Sequence, residues 1–394
     1  MLSEKIVHNL KKSSGIRAMF EEGERLRKIY GSDQVYDFTL GNPDPEPPES
    51  VRESILRLVR AGEKGLHKYM SNAGFADVRE KIASSQRAET GYKVEAHHVL
   101  MTVGAAGALN VLLKSLLNTG EEVIVFSPYF VEYGFYAENH GGRIVVAQTR
   151  KEDFQPDAGS LEKTITKKTK AILLNTPNNP TGAVYTREVL KQLRDVICKK
   201  EQQLGIRICV ISDEPYTRLV YDGVEVPCMF DYFINCVRVT SFSKSLSLPG
   251  ERIGYAVLHP EMEEGALLMD AMVFCNRVLG YVNAPALFQK VIAENLDAKV
   301  DVDVYRERRD LLYGKLTSLG FRCVKPEGAF YLFPECPVDD DVRFKQMALE
   351  NRILLVPGGG FGQPGYFRLA YCVDKSMIQR SFPAFEKLAD QAGL

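Results

Sequence analysis

The sequence contains no tryptophan, so no site in it can stack an indole on a flat ligand, and phenylalanine or tyrosine must serve instead. No C-x-x-C pair occurs among its cysteines at 198, 209, 228, 236, 275, 323, 336 and 372, and its six histidines show no zinc spacing. A structural zinc site is therefore not expected, and His97-His98 reads as a surface turn. The scattered cysteines, several in apolar strand-like runs, predict reduced, mostly buried thiols in a cytosolic protein. Charge of one sign is also lacking. Lys and Arg number 50 against 51 Asp and Glu, with no long basic run, so nothing suggests nucleic acid. The longest apolar stretch, residues 99–113, contains Thr102 and Asn110 and ends at Lys114. It falls short of the roughly 20 residues a membrane span needs. The opening Met1-Leu2-Ser3-Glu4-Lys5 is charged early and lacks an apolar signal core. No G-x-G-x-x-G follows a first strand candidate, which disfavours a nicotinamide-dependent dehydrogenase. There is no internal repeat and no low-complexity segment.

What is present is alternation. Apolar strand candidates at 122–126, 143–146, 171–174, 207–211, 237–240 and 253–258 are interleaved with helical patterns such as 105–117 and 187–203. This predicts an α/β fold with a mainly parallel sheet and helices on both faces. The last hundred residues read differently. A helix over 301–318 precedes short strands near 321–324, 329–333, 353–356 and 366–371, an α+β pattern and hence a second, smaller domain. A length of 394 residues suits that division. The run Asn42-Pro43-Asp44-Pro45-Glu46-Pro47-Pro48 marks a boundary near the start.

Three motifs carry chemistry. In Ser241-Phe242-Ser243-Lys244-Ser245, a lysine flanked by hydroxyls precedes Arg252. An amine can condense with an aldehyde to form a Schiff base, while a guanidinium and hydroxyls hold a phosphate. Asn175-Thr176-Pro177-Asn178-Asn179-Pro180-Thr181-Gly182 follows the strand candidate 171–174. Ser212-Asp213-Glu214-Pro215-Tyr216 follows the one at 207–211. Both fall at the carboxyl end of a predicted strand, where doubly wound sheets place ligands. Together, in this order, the three motifs resemble those of class I aminotransferases, fold-type I enzymes dependent on pyridoxal 5'-phosphate. The resemblance runs from about Gly41 to Arg368.

The resemblance implies a large cofactor-binding domain over 48–288. Residues 1–47 and 289–394 would form the small domain, the N-terminal segment folding back onto the C-terminal part. Lys244 would be the Schiff-base lysine and proton shuttle, Asp213 the partner of the pyridine nitrogen. Tyr216 and Asn179 would hydrogen-bond the ring oxygen. Arg252, Ser241, Ser243 and the turn Gly104-Ala105-Ala106 would hold the phosphate, although that turn also reads as a plain strand-to-helix connection. Phe130 would stack on the ring, preferred over Tyr129 by alignment alone. Arg368 would bind the substrate α-carboxylate bidentately, with the backbone of Gly41 and with Asn179 alongside. Tyr69 would either reach the phosphate of a neighbouring subunit or be an ordinary half-buried tyrosine. Tyr69 and Asn283 would require a homodimer with shared active sites. Arg277, displaced by about one position from the family's side-chain-reading arginine, would point either into the partner's site or into solvent.

The expected activity is transfer of an amino group from an L-amino acid (aspartate, aromatic or broad) to a 2-oxo acid, 2-oxoglutarate foremost, by ping-pong half-reactions. No metal, membrane or nucleic-acid partner is expected, and the location is cytoplasmic. Two alternatives share these residues. One is a β-C–S lyase, which needs no acceptor. The other is a non-catalytic ligand-binding regulator, disfavoured because no DNA-binding extension precedes the fold.

Overall fold

A computed structural model describes residues 2–394, the side chains of 11–18, 20 and 21 excepted. Its strands in chain order are β1 (Tyr36–Asp37), β2 (Val99–Thr102), β3 (Glu122–Ser127), β4 (Arg143–Gln148), β5 (Thr169–Asn175), β6 (Cys209–Asp213), β7 (Cys236–Ser241), β8 (Gly254–Leu258), β9 (Tyr331–Leu332), β10 (Ile353–Leu354), β11 (Val356–Pro357) and β12 (Phe367–Ala370). Seven of them form the central sheet, in the order β2-β8-β7-β6-β5-β3-β4. Only β8 runs against its neighbours; every other pairing is parallel. The mainly parallel sheet expected from the alternation is therefore present.

The sheet is covered on both sides, which explains why its strands are apolar without alternation. Ile124, Ile172 and Val210 enter one core with Leu190, Leu193 and Ile197 from the helix Arg187–Leu204. Their chain neighbours Val123, Val125 and Leu173 face the other way, into a core with Leu109 and Leu112 from the helix Gly104–Leu116. Local signals fix the helix ends. The Thr186 side chain caps the helix Arg187–Leu204 by accepting from the Val189 N–H, and Gly205 closes it in the left-handed region. Because the strands other than β8 share one direction, Thr102, Ser127, Asn175, Asp213 and Ser241 all end at the same edge. A site can be assembled there.

The C-terminal part has its own core, built around Phe330, Phe344, Phe367 and Phe385. The N-terminal segment reaches it. β1 pairs in parallel with β10, Phe38 joins the same core, and Met19 and Leu26 pack with Leu354. The helix Glu4–Tyr30 also touches the other side of the molecule, where Asn9 donates to Glu138 Oε2 at 3.4 Å.

One expected strand is absent. Residues 321–324 form no ladder, because Phe321 is held by its ring, against Phe344 and Phe367, rather than by backbone pairing. A single backbone bond, Glu335 N–H to Arg322 C=O at 2.9 Å, is all the segment shares with its neighbour. All eight cysteines are free; four are buried, three partly buried and one exposed. Among the described residues no helix is long and apolar enough to cross a membrane, and no cluster of metal-ligating side chains occurs.

Candidate active site

The carboxyl edge of the central sheet opens into a cleft of about 380 Å³ that also takes its walls from the N- and C-terminal parts. Its floor is Asp213, the last residue of β6. Next to it, Asn175 at the end of β5 donates to the Asp213 carbonyl at 2.9 Å and accepts from the Asn179 N–H at 2.8 Å. The 175–182 loop is thereby tied to the strand that carries the acid. Asp213 Oδ2 accepts a 2.6 Å bond from the Tyr133 hydroxyl, while Oδ1 is buried with no partner among the described residues. Burial pushes the Asp213 carboxyl up to about 7, opposed by the Tyr133 bond and reinforced by Glu214. Such an acid is completed by a cationic N–H in the cleft, which would hold it ionised.

Glu214, its chain neighbour, belongs to the opposite side of the strand. There it accepts from Ser212 Oγ at 2.7 Å and from Arg238 Nε at 2.8 Å. Arg238 continues to Gln86 and Glu89. A buried, fully paired network thus backs the strand end that carries Asp213.

Lys244 lies in the short helix Phe242–Ser245 that follows β7. Its Nζ donates to the Gly41 carbonyl at 2.5 Å and sits 5.3 Å above the Phe330 ring. Burial lowers its ammonium to about 8, so the neutral, nucleophilic amine is available near neutrality. Ser241, Ser243, Arg252, Ala105 and Ala106 gather beside it. The Ser241 and Ser243 side chains have no hydrogen bond within the described protein. Ala105 and Ala106 stand in the first turn of the helix Gly104–Leu116, where backbone N–H groups lack helical partners. Hydroxyls, a guanidinium and a helix N-terminus together make an anion cradle. Gly104 serves it indirectly. It adopts a φ of +74°, and a Cβ there would meet Arg252 Nη2 at 2.9 Å.

At the other end of the cleft Arg368, on β12, donates to Asn179 Oδ1 at 3.1 Å and to the Thr39 carbonyl at 2.6 Å. Its Nε is buried without a partner among the described residues. The rings of Tyr331 and Phe361 flank the guanidinium at 4.6 and 4.8 Å. Tyr331 also shares a 3.0 Å hydroxyl contact with Tyr216. A Cβ on Gly41 would stand 2.0 Å from the Tyr331 hydroxyl, so only glycine lets that backbone close on the cleft.

An amine, an acid, an anion cradle and a second buried cation thus converge at one sheet edge. A family model described as aminotransferase class I and II matches residues 33–384. The chain belongs to that family. This aminotransferase is 33% identical to the aspartate/prephenate aminotransferase of Thermus thermophilus, over 90% of this chain and 91% of that one. It is 34% identical to the aspartate aminotransferase of Thermotoga maritima, over 92% of each. A crystal structure of an amino transferase from Eubacterium rectale matches 100% of both chains, with a TM-score of 0.96 and 40% identity.

The cleft of this aminotransferase gathers most residues singled out from the sequence: Gly41, Ala105, Ala106, Phe130, Asn179, Asp213, Tyr216, Ser241, Ser243, Lys244, Arg252 and Arg368 line it. Phe130 faces the cleft, whereas Tyr129 packs against Gly362. Tyr69, Asn283 and Arg277 lie apart from its lining within the single chain. Tyr69 is 91% exposed, and Arg277 is exposed beside Phe274 at a helix end. Sequence reasoning missed Thr39, Asn175, Tyr133, Tyr331 and Glu132. For Asn175 a signal existed, since it opens the amide-rich motif at a strand end. Tyr133 and Tyr331 had none, because ordinary core tyrosines look the same in sequence.

Proposed function

We propose that this aminotransferase works with pyridoxal 5'-phosphate, moving the amino group of an L-amino acid to a 2-oxo acid in two successive half-reactions. The observation that carries this reading is the pairing of Lys244 with the half-satisfied Asp213 across one cleft, beside a cradle of unpartnered hydroxyls and Arg252. The donors fit the group: a phosphate in the cradle, a ring N–H on Asp213 Oδ1, an aldehyde within reach of the amine. When bound, the cofactor supplies an electron sink for the charge left when the substrate Cα loses a proton.

The remaining chemistry falls to the protein. Lys244 would hold the cofactor through its amine and, when free, would carry the proton at the substrate Cα, its lowered basicity suiting both directions of transfer. Asp213, oriented by Tyr133, would keep the ring nitrogen protonated. Asn179 has its oxygen engaged by Arg368, which leaves its amide N–H to donate to the ring oxygen together with Tyr216. Arg368 and the Gly41 backbone bind the α-carboxylate. 2-Oxoglutarate is the first acceptor to test.

We further propose a cytoplasmic homodimer, with residues 48–288 as the large domain and 1–47 with 289–394 as the small one. Supporting the dimer, Tyr69 stands exposed on a segment secured by Asn283, which donates to the Ser71 carbonyl at 2.7 Å. The helix Gly265–Val278 also leaves Leu267, Phe274 and Val278 uncovered. The reading is tested by loading the protein with the cofactor, reducing it with borohydride and mapping the peptides by mass spectrometry. The cofactor is expected on Lys244; its attachment to any other lysine contradicts the assignment.

A further inference from the structure

Charge in the cleft is not fully accounted for by these roles. Its lining holds three cations, Lys244, Arg252 and Arg368, and two anions, Asp213 and Glu132. On the reading above, the cations meet the aldehyde, the phosphate and the α-carboxylate, and Asp213 meets the ring nitrogen. Within one chain no cation of the lining is left for a second substrate carboxylate, Arg277 lying outside it, and one anion is left over. Glu132 is the first residue of the helix Glu132–Asn139, two positions beyond Phe130. It is half-buried, forms no ion pair and accepts no side-chain hydrogen bond among the described residues. Burial raises its carboxyl above the usual carboxylate range. One turn on, Tyr136 also lines the cleft, and Glu132 adds to the burial that holds its phenol protonated.

We propose that Glu132 reads the substrate side chain, selecting amino donors with a cationic amine or guanidinium group and disfavouring those with a second carboxylate. An unpaired carboxylate on the wall of a cleft attracts a complementary cation and repels a like charge. The inference rests on the aminotransferase reading of the same cleft.

The test uses full-length, cofactor-loaded protein and three donors: ornithine, aspartate and, as a neutral reference, alanine. Rates of the first half-reaction are followed by the visible spectrum, and affinity for maleate, a non-reacting dicarboxylate, by calorimetry. Wild type should favour ornithine over aspartate. Glu132→Gln should lower the ornithine-to-aspartate ratio of kcat/KM by at least about tenfold, as expected when one close charge contact is neutralised. It should also tighten maleate binding. Glu132→Lys should reverse the preference. If Glu132 serves only the helix N-terminus, all donors will fall in parallel and maleate affinity will not move, which overturns the proposal. A wild type that prefers aspartate, with a ratio unchanged in both variants, overturns it as well. If no donor of any charge reacts in the wild type, the aminotransferase reading itself fails and the role of Glu132 falls with it.

Discussion

The two ends of the cleft are built differently. The end at the central sheet rests on strand termini tied to one another by hydrogen bonds, within which Asp213 Oδ1 and the Ser241 and Ser243 hydroxyls are left open. Tyr133 holds Asp213, Asn175 holds the 175–182 loop, and Arg238 with Glu214 backs the floor. The other end is assembled by tertiary closure, from Thr39 and Gly41 near the start of the chain and Tyr331, Phe361 and Arg368 near its end. There Arg368 Nε is left open. Pairing rigidifies a site, whereas an unpaired group marks where a ligand must complete it. At the sheet end the open groups sit in a bonded framework, which suits a cofactor that stays; the far end, closed by segments distant in the chain, suits substrates that exchange.

Substitutions should separate the two ends. Lys244→Ala removes the only amine of the cleft and should lower transamination by about 10⁴-fold or more, measured as kcat with saturating donor. Arg238→Ala acts on the backing network, leaving Glu214 buried beside an empty space. It should cost about 3–5 kcal/mol of stability, read from denaturant unfolding; an unchanged midpoint would show the network to be dispensable. Arg368→Ala should act at the substrate end only. A loss of about 10²-fold in kcat/KM is expected, mostly through KM for amino acids, while the cofactor stays bound. Loss of cofactor in that variant would erase the distinction between the ends. Tyr133→Phe deletes the one bond that opposes the elevation of the Asp213 carboxyl, and should weaken cofactor retention by about tenfold, in keeping with a hydrogen bond to a charged group.

The smallest effect concerns pH. Lys244 is depressed from 10.5 to about 8 by burial. Its neutral amine is the minority species below that value and the majority above it. The rate at which cofactor-free protein captures the cofactor should rise with pH up to about 8 and then level. A rise continuing past 10 would mean that the amine is solvated.

The sheet end was legible in the sequence because its residues follow apolar runs directly. Asp213 and Lys244 each stand at or just beyond a strand terminus, so chain order already implied proximity. Arg368 was singled out through the family resemblance, since an arginine inside an apolar strand reads by itself as an ion-paired edge residue. Tyr133, Tyr331 and Glu132 were not: Tyr331 comes from a distant segment, and Tyr133 and Glu132, in the helix after β3, look in sequence like ordinary core and surface residues. The missing strand at 321–324 has the same origin. Its apolar pattern reflects the burial of Phe321 against Phe344 and Phe367, and burial alone does not specify a ladder.

The most direct measurement is the visible spectrum of the protein loaded with pyridoxal 5'-phosphate, recorded as single amino acids are added before any acceptor. The account predicts that the band of the Lys244-bound cofactor bleaches with a suitable donor and returns on addition of a 2-oxo acid. Release of pyruvate with no need for an acceptor, or the absence of any visible band after loading, would contradict it.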